Sequence, residues 1–587
     1  MKRRRGRPEE KIMNAEETVH YDKVRAIYAI LQGEREADLL LKNLNILDVH
    51  GETVYQGSIL IYDKRIVALN PDESVVKVKE VFDGKGLYAI PGLIDAHIHF
   101  ESQLAHPTAL AEAMVPCGTT TIYSECLDLL SAAGEEGVEA AENLFRDHDK
   151  LPYRLYAFAP GKKVSAAVTN RVLDMEPVIG LGEFEHFTYS SGNDDDFRKA
   201  AWVRARGGFM NGHWGVTALS DMVLNYLPAI GCSNNHDVWN EKDIEKSIRY
   251  GFPTHIKFGV GSAEVIKVLL RAIVDRKWPT DNFMLCTDNI SVERLLTMGH
   301  MDWIISLCAQ MGINPIHAIK MATLNTARSF HMEDKIGSLT PGRFADIVLT
   351  DSLSKINPLY VFKDGELVAK DRKLLKNAEI DYSGMCKKGV PGLGDLTADQ
   401  LDIVPLEISA DGKSAKVYLF DVYGRGHAKF YQEVWVPLKD GKVVPEVDGV
   451  KYSRLSVIQR YADGERHIVN GLFKGVSLER GAVATFWPAP KPYFVVVGEE
   501  SGEMCHCVKQ VDTYAGACIV TEGKVEKAVM PLDIYGVMAN MTVTELTAAA
   551  SSIDTALEAM GNRNEGEPVV NKLLSLFISL HRFRLMK

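Results

Sequence analysis

Nowhere in these 587 residues does an apolar run approach the ~20 residues a membrane-crossing helix needs. Positive charge is also scarce. Lys and Arg total 67 against 78 Asp and Glu, a formal net charge of −11, which argues against nonspecific nucleic-acid binding because phosphate contacts need a basic surface. The exception is local: Lys2, Arg3, Arg4, Arg5 and Arg7 crowd the start. No apolar stretch follows them, so they make no secretory signal and read as a solvated tail. Cysteine is thin as well. Nine thiols scattered through so long a chain form no disulfide framework and fit a reducing, cytoplasmic setting. Cys505-His506-Cys507 lacks a second ligand pair at zinc-like spacing and is read as structural. Internal repeats and low-complexity tracts are absent. What remains is ordinary globular composition, 46% hydrophobic and 25% charged, in a chain too long for one ordinary domain.

Past an N-terminal extension over 1–36, residues 37–46, 57–62 and 65–69 read as short strands, with Asp63-Lys64 as a turn. Similar β-rich pieces return at 345–350 and 360–368. The two separated segments, 37–85 and 335–373, are expected to pair into one small β-sandwich-like domain. The stretch between them, 86–334, alternates strand and helix. Apolar runs ending in polar residues fall at 87–97, 119–123, 153–159, 177–182, 208–211, 229–233, 254–258 and 283–287. One helix starts near Pro107 and stops at Gly118; another starts at a plausible Asn240 cap and stops at Gly251. Eight strands alternating with helices predict a TIM-type (β/α)8 barrel inserted in the small β domain. A doubly wound α/β sheet is the rival. From about 374 the chain turns strand- and glycine-rich, then helical, which predicts a separate α+β domain over 374–587.

In such a barrel the chemistry sits at the C-terminal strand ends. The first strand ends in Asp95-Ala96-His97-Ile98-His99. Residues two apart on a strand face one side, so His97 and His99 point together, about 6–7 Å apart at the backbone. Two imidazoles so placed can grip one divalent metal. Glu183 ends the fourth strand and His213 the fifth; His236 and Asp237 follow the sixth, and Asp288 the eighth. A buried core seldom places such groups at five strand mouths without partners.

Residues 91–102, Pro-Gly-Leu-Ile-Asp-Ala-His-Ile-His-Phe-Glu-Ser, resemble the opening motif of the adenine deaminases within the amidohydrolase superfamily. The stretches at 118–121, 212–213, 235–237, 286–288, 321–326, 337–346 and 471–482 follow in that family's order. The resemblance covers about 37–587. It implies a two-metal site, with His97 and His99 on one ion, Glu183 bridging, and His213 and His236 on the second. Asp288 would touch metal and water and shuttle protons, with Glu183 also catalytic. Manganese, iron and zinc all suit mixed imidazole and carboxylate donors. The implied reaction is hydrolytic deamination of adenine to hypoxanthine and ammonia. The implied partner is a small purine or related heterocycle, with no nucleic acid, no membrane, and a homo-oligomer left open.

Three family signatures are altered. After the Thr-Thr-Thr stretch the family shows Asp-Pro-His-Glu, where this chain has Glu125-Cys126-Leu127-Asp128. The family's His-Asp-Ser-His-Asn has become Ala489-Pro490-Lys491-Pro492-Tyr493, and its paired Asp-Asp has become Asp288-Asn289. Glu101, Glu125, Asp128, Asp237 and Lys491 are therefore the candidate substrate contacts. Charged groups that read a ring decide which ring is accepted. One alternative is thus a sister amidohydrolase acting on another purine or cyclic amide, including ring opening of an oxidised purine. The other is a degenerate barrel kept as a binding subunit.

Overall fold

The computed structural model describes residues 14–259, 263–387, 393, 395–421, 431–460, 466–487, 493–511, 513–514, 516–563, 569–570 and 572–573. The basic cluster Lys2–Arg7 and residues 489–492, with Lys491, lie outside the described residues.

Asp63 and Lys64 both take positive φ, 48° and 67°, between paired Tyr62 and Arg65. Two left-handed residues form the tight turn whose twist matches a right-handed hairpin. That hairpin joins Thr53–Tyr62 to Arg65–Leu69 in a nine-stranded sheet, which also holds Glu36–Asp48, Lys77–Asp83 and Tyr88–Pro91. Its other strands arrive from beyond the barrel. Ile347–Thr350 pairs antiparallel with Tyr88–Pro91, and Pro358–Lys363, Glu366–Lys370 and Lys373–Leu374 continue outward. The apolar stretch 87–97, expected as one strand, is split at Gly92. A Cβ there would meet Thr120 Oγ1 at 2.0 Å, so only glycine lets the chain leave one sheet and enter the next.

The barrel strands are β1 (Leu93–His99), β2 (Thr119–Glu125), β3 (Arg154–Pro160), β4 (Val178–Phe184), β5 (Phe209–Gly212), β6 (Cys232–Asn235), β7 (Thr254–Lys257) and β8 (Phe283–Cys286). They pair in sequence order and all in parallel. Sequential pairing without reversal sets aside the doubly wound rival. β8 and β1 close through a parallel bridge between Ile98 and Asp288, where the Asp288 amide donates to His97 O at 2.8 Å. Asp95 stitches the same seam: its carboxylate accepts from the Thr287 amide at 3.1 Å and the Thr287 hydroxyl at 2.5 Å.

The helices obey their caps. Asn240 accepts from the Asp243 amide at 3.1 Å and opens Glu241–Arg249. His106 opens Pro107–Met114, which tightens into a 3-10 turn over Val115–Cys117 and ends at left-handed Gly118. Upstream of the first sheet stands a helix the sequence reading did not identify, Ala15–Leu31, started by a capping box at Asn14 and Glu17.

Beyond the nine-stranded sheet lies a ten-stranded one, with helix Ser501–Val511 against it and helix Val543–Ala559 packed on both its last strands and Pro107–Met114. Cys505 and Cys507 sit inside the first of these helices, both buried, Cys507 donating to Ala482 O and Ile519 O at 3.5 Å. Among the described residues no helix is long and apolar enough to cross a membrane.

Candidate metal centre

β1 is buried along its whole length, and its last turn of pleat delivers His97 and His99 to the barrel mouth. Their Nε2 atoms stand 3.0 Å apart. Nδ1 of His97 is turned the other way, 3.1 Å from the Asn211 side-chain amide at the end of β5. Glu183, next to last in β4, has its Oε1 at the middle of the group. That oxygen lies 3.3 Å from His99 Nε2, 3.5 Å from His213 Nδ1, 3.7 Å from His236 Nε2 and 3.9 Å from His97 Nε2. Asp288 follows β8 and brings Oδ1 to 3.5 Å from His99 Nε2 and 3.7 Å from His97 Nε2. His213 and His236 are 2.9 Å apart across their ring nitrogens. Among the described residues, groupings with donor atoms close enough to share one ion include His97, His99 and Asp288; His97, Glu183 and His236; and Glu183, His213 and His236.

The two carboxylates are held by their backbones as well as their neighbours. Glu183 has φ of 39° and Asp288 has φ of 54°. A non-glycine residue in the left-handed region costs energy and persists where surroundings over-determine it, often at functional sites. Here the Asp288 amide is fixed to His97 O, and the Glu183 amide donates to Glu125 Oε1 at 3.0 Å. Gly182 makes room for that contact, since a Cβ on it would sit 2.3 Å from a Glu125 oxygen.

Charge in the cluster follows burial and proximity. Burial, then the neighbouring His236 and His99, push His97 well below the ordinary imidazole range, so it is neutral and able to donate a lone pair. Burial also opposes charge on His99, but hydrogen bonds to Asp288 and Glu183 outweigh it and hold that imidazole well above its usual value. Glu183 and Asp288 pay a burial penalty that nearby cations reverse, chiefly Lys162 for the first and Lys257 with His99 for the second. Both stay well below the ordinary carboxylate range.

Those two lysines escaped the sequence reading. Lys162, just past β3, sets its ammonium 2.9 Å from Glu183 Oε2 and 2.5 Å from Glu185 Oε1. Lys257 ends β7, 3.0 Å from Asp288 Oδ2 and 3.3 Å from Asp237 Oδ1. Burial disfavours each ammonium, yet the paired carboxylates lift both above the ordinary lysine value. A lysine in sequence reads as a solvated surface group, and only its place at a strand end could have pointed inward.

The outer candidates separate. Glu125 joins the cluster from below: its Oε1 accepts from the Asn211 amide at 3.1 Å and lies 3.6 Å from His97 Nδ1. Burial and then the Glu183 charge raise its carboxyl well above the usual range. Asp237 takes the Trp239 indole N–H at 2.5 Å and Lys257, so it steadies Lys257. Glu101 and Asp128 stand to one side. Glu101 accepts from the Leu129 amide at 2.9 Å, and burial, then the Asp128 charge, raise it to about 7. Asp128 pairs with Lys163 at 2.9 Å. Tyr493 is buried in the core.

A closed parallel barrel whose strand ends gather four imidazoles and two carboxylates defines the amidohydrolase class, and the amidohydrolase family model matches residues 270–368. The adenine deaminase C-terminal domain matches residues 430–580. An adenine deaminase of Desulforamulus reducens is 31% identical over 546 residues, covering 91% of this chain and 90% of that one. One from Kosmotoga olearia is 29% identical over 549 residues, covering 91% of each. A solved adenosine deaminase from Xanthomonas campestris with bound zinc aligns at TM-score 0.45 and 16% identity, covering 59% of this chain and 95% of that one. The chain belongs to the adenine deaminase family.

Proposed function

We propose that this protein is a metal-dependent hydrolase that converts adenine to hypoxanthine and ammonia in the cytoplasm. The observation that carries the reading is the convergence of His97, His99, His213 and His236 on Glu183 Oε1, with Asp288 beside His97 and His99, in a chain of this family. The donor set fits a divalent transition metal: imidazole nitrogen and carboxylate oxygen, buried and mutually close, suit manganese, iron or zinc. All nine cysteines are free thiols, in keeping with a reducing compartment.

A divalent cation held there would supply Lewis-acid charge and bring the pKa of a water molecule at the site toward neutrality. The protein's own groups do the rest. Asp288 keeps one oxygen on the cluster and one on Lys257, whose charge holds it ionised and able to act as a base. Its role is to take a proton from that water and deliver it to the departing amine. At the reacting carbon one C–O bond forms and the C–N bond to the amine breaks. One water proton leaves on ammonia and the other ends on the purine ring. Glu183 and the imidazoles fix the geometry, so little reorganisation accompanies the reaction.

The test is a substrate panel with metal-replete protein, reading ammonia release alongside ring absorbance. Adenine should yield ammonia and hypoxanthine, and chelation should abolish turnover until metal is returned. The Leu127 substitution at the family's histidine position motivates a second reading, a different cyclic amidine or amide as substrate. Inertness toward adenine with opening or deamination of an oxo-purine would establish that reading instead.

A further inference from the structure

A buried tryptophan normally joins an apolar core, as Trp214 does, 1% exposed within the main buried cluster. Trp202, Trp278 and Trp303 pack against that same cluster. Trp239 is half-buried and belongs to no apolar cluster among the described residues. Polar groups hold it instead. Its indole N–H donates to Asp237 Oδ1 at 2.5 Å, and its amide donates to Asp243 Oδ2 at 3.0 Å. Asp243 is itself buried and fixed, accepting from the Asn240 side chain and the Thr217 amide, each at 2.8 Å. The Lys257 ammonium lies 4.7 Å from the centre of the indole ring and 3.3 Å from Asp237 Oδ1. A ring so tied is ordered before any ligand arrives, which is the condition for a binding surface that costs little to use.

Its place in the barrel gives the fastening a use. Trp239 comes three residues after His236, where the chain leaves β6 at the mouth. The ammonium that lies over the ring is also 3.0 Å from Asp288 Oδ2. The indole and the proton-carrying carboxylate therefore stand one lysine head group apart. A flat bicyclic ring whose reacting carbon is beside Asp288 extends over such a gap, since stacked rings sit roughly 4.5–7 Å apart between centres. We propose that Trp239 is a substrate-binding residue, the platform on which the heterocycle stacks while Asp288 works at its amino-bearing carbon. Asp237 and Lys257 are the positioning residues of that platform. The indole reads the π face of the ring and leaves the edge groups to other side chains.

This inference rests on the adenine reading. Metal-replete wild type is treated with N-bromosuccinimide with and without saturating hypoxanthine, the product of that reaction, and tryptophan oxidation is mapped by peptide mass spectrometry. Hypoxanthine should slow oxidation of Trp239 severalfold, while Trp435, 46% exposed on the ten-stranded sheet, should oxidise at one rate throughout. Trp239→Leu should raise KM for adenine about tenfold or more, the scale of one lost base–aromatic stack, and leave kcat within about threefold of wild type. Trp239→Phe, which keeps a stacking ring without the N–H, should recover most of that loss. A tryptophan that only roofs Lys257 would act through Asp288, so Trp239→Leu would lower kcat with KM unmoved, and that result overturns the proposal. So does equal oxidation of Trp239 with and without hypoxanthine in a wild type that deaminates adenine, whether or not the variants fold; the adenine reading then stands without this inference. Wild type that holds metal yet neither deaminates adenine nor binds hypoxanthine overturns the adenine reading, and this inference with it.

Discussion

Asp288 divides its oxygens between the histidine cluster and Lys257, so an amide in its place separates charge from shape. Asp288→Asn should keep the fold, since Asp237 still neutralises Lys257, while kcat falls by at least ~10²-fold, the usual scale for a lost acid–base group. Steady-state kinetics with adenine and a melting curve check both halves. Near wild-type turnover would move the role to Glu183 or Asp237. His97, His99, Glu183, His213, His236 and Asp288 were legible because strand alternation and strand ends are periodic features. Lys162 and Lys257 were not, because what buries a lysine is a carboxylate on the neighbouring strand. A second prediction concerns His106, which caps Pro107–Met114 with its Nδ1 accepting from the Ala109 amide at 3.2 Å. Burial lowers its pKa from 6.5 to about 4. The folded state then binds this proton less readily than the unfolded state. Its stability contribution is full above pH 6.5 and is lost as pH falls toward 4, up to about 3 kcal/mol. His106→Asn, which keeps a capping oxygen without the titration, should flatten the melting temperature between pH 6.5 and 4. An unchanged slope would assign acid sensitivity elsewhere.

The barrel strands were readable one by one, but their closure was not. β1 and β8 meet through one bridge, and the side chain that secures the seam is Asp95, accepting from the His97 amide at 3.1 Å, the Thr287 amide and hydroxyl, and lying 3.0 Å from His300 Nε2. In sequence, Asp95 is one polar residue inside an apolar run, with no sign that its partners come from the far end of the barrel. Removing a buried, fully used carboxylate strands its donors, and Asp95→Ala should cost about 3–5 kcal/mol. Because His97 and Asp288 are themselves part of the seam, metal content should fall together with melting temperature. A variant that melts normally yet loses metal would make Asp95 a local aid to the site and not a fastener of the barrel. The same blindness to partners explains two other elements. Residues 87–97 read as one strand since both halves are apolar, and only the approach to Thr120 at Gly92 divides them. Helix Ala15–Leu31 buries just Ala26 and Ile30, so its sequence carries a cap but little of the apolar face that marks a packed helix.

Across the whole molecule the change of texture near residue 374 was visible, and the manner of docking was not. Composition marks where a region begins; it does not say which face it covers. The later region grips the barrel at many points. The Ala539 amide donates to Leu104 O at 2.9 Å, the Asn377 side-chain amide donates to Thr108 O at 2.7 Å, and Tyr382 lies against His106 with ring centres 4.7 Å apart. Lys387 reaches Glu136 and Glu139 at 3.0 and 3.1 Å, and the Tyr535 hydroxyl donates to Glu136 at 3.0 Å. These exposed ion pairs are worth little by themselves. The apolar contact is worth more: Leu104 belongs to the same buried cluster as Cys518, Met530, Leu532, Val570 and Leu573, and the barrel shares that continuous core with Ile534, Val537, Met538 and Ala539. Uncovering each large apolar side chain costs about 1.5–3 kcal/mol. A handful of them exceeds the roughly 5–15 kcal/mol by which a domain is stable. A chain ending at residue 373 should therefore be insoluble or melt without a cooperative transition, although it keeps all six residues of the metal centre. Expression of residues 1–373, followed by thermal melting and manganese content, measures this. A soluble product that melts cooperatively near the full-length temperature and holds metal would show that the barrel folds alone and that the later region is only attached to it.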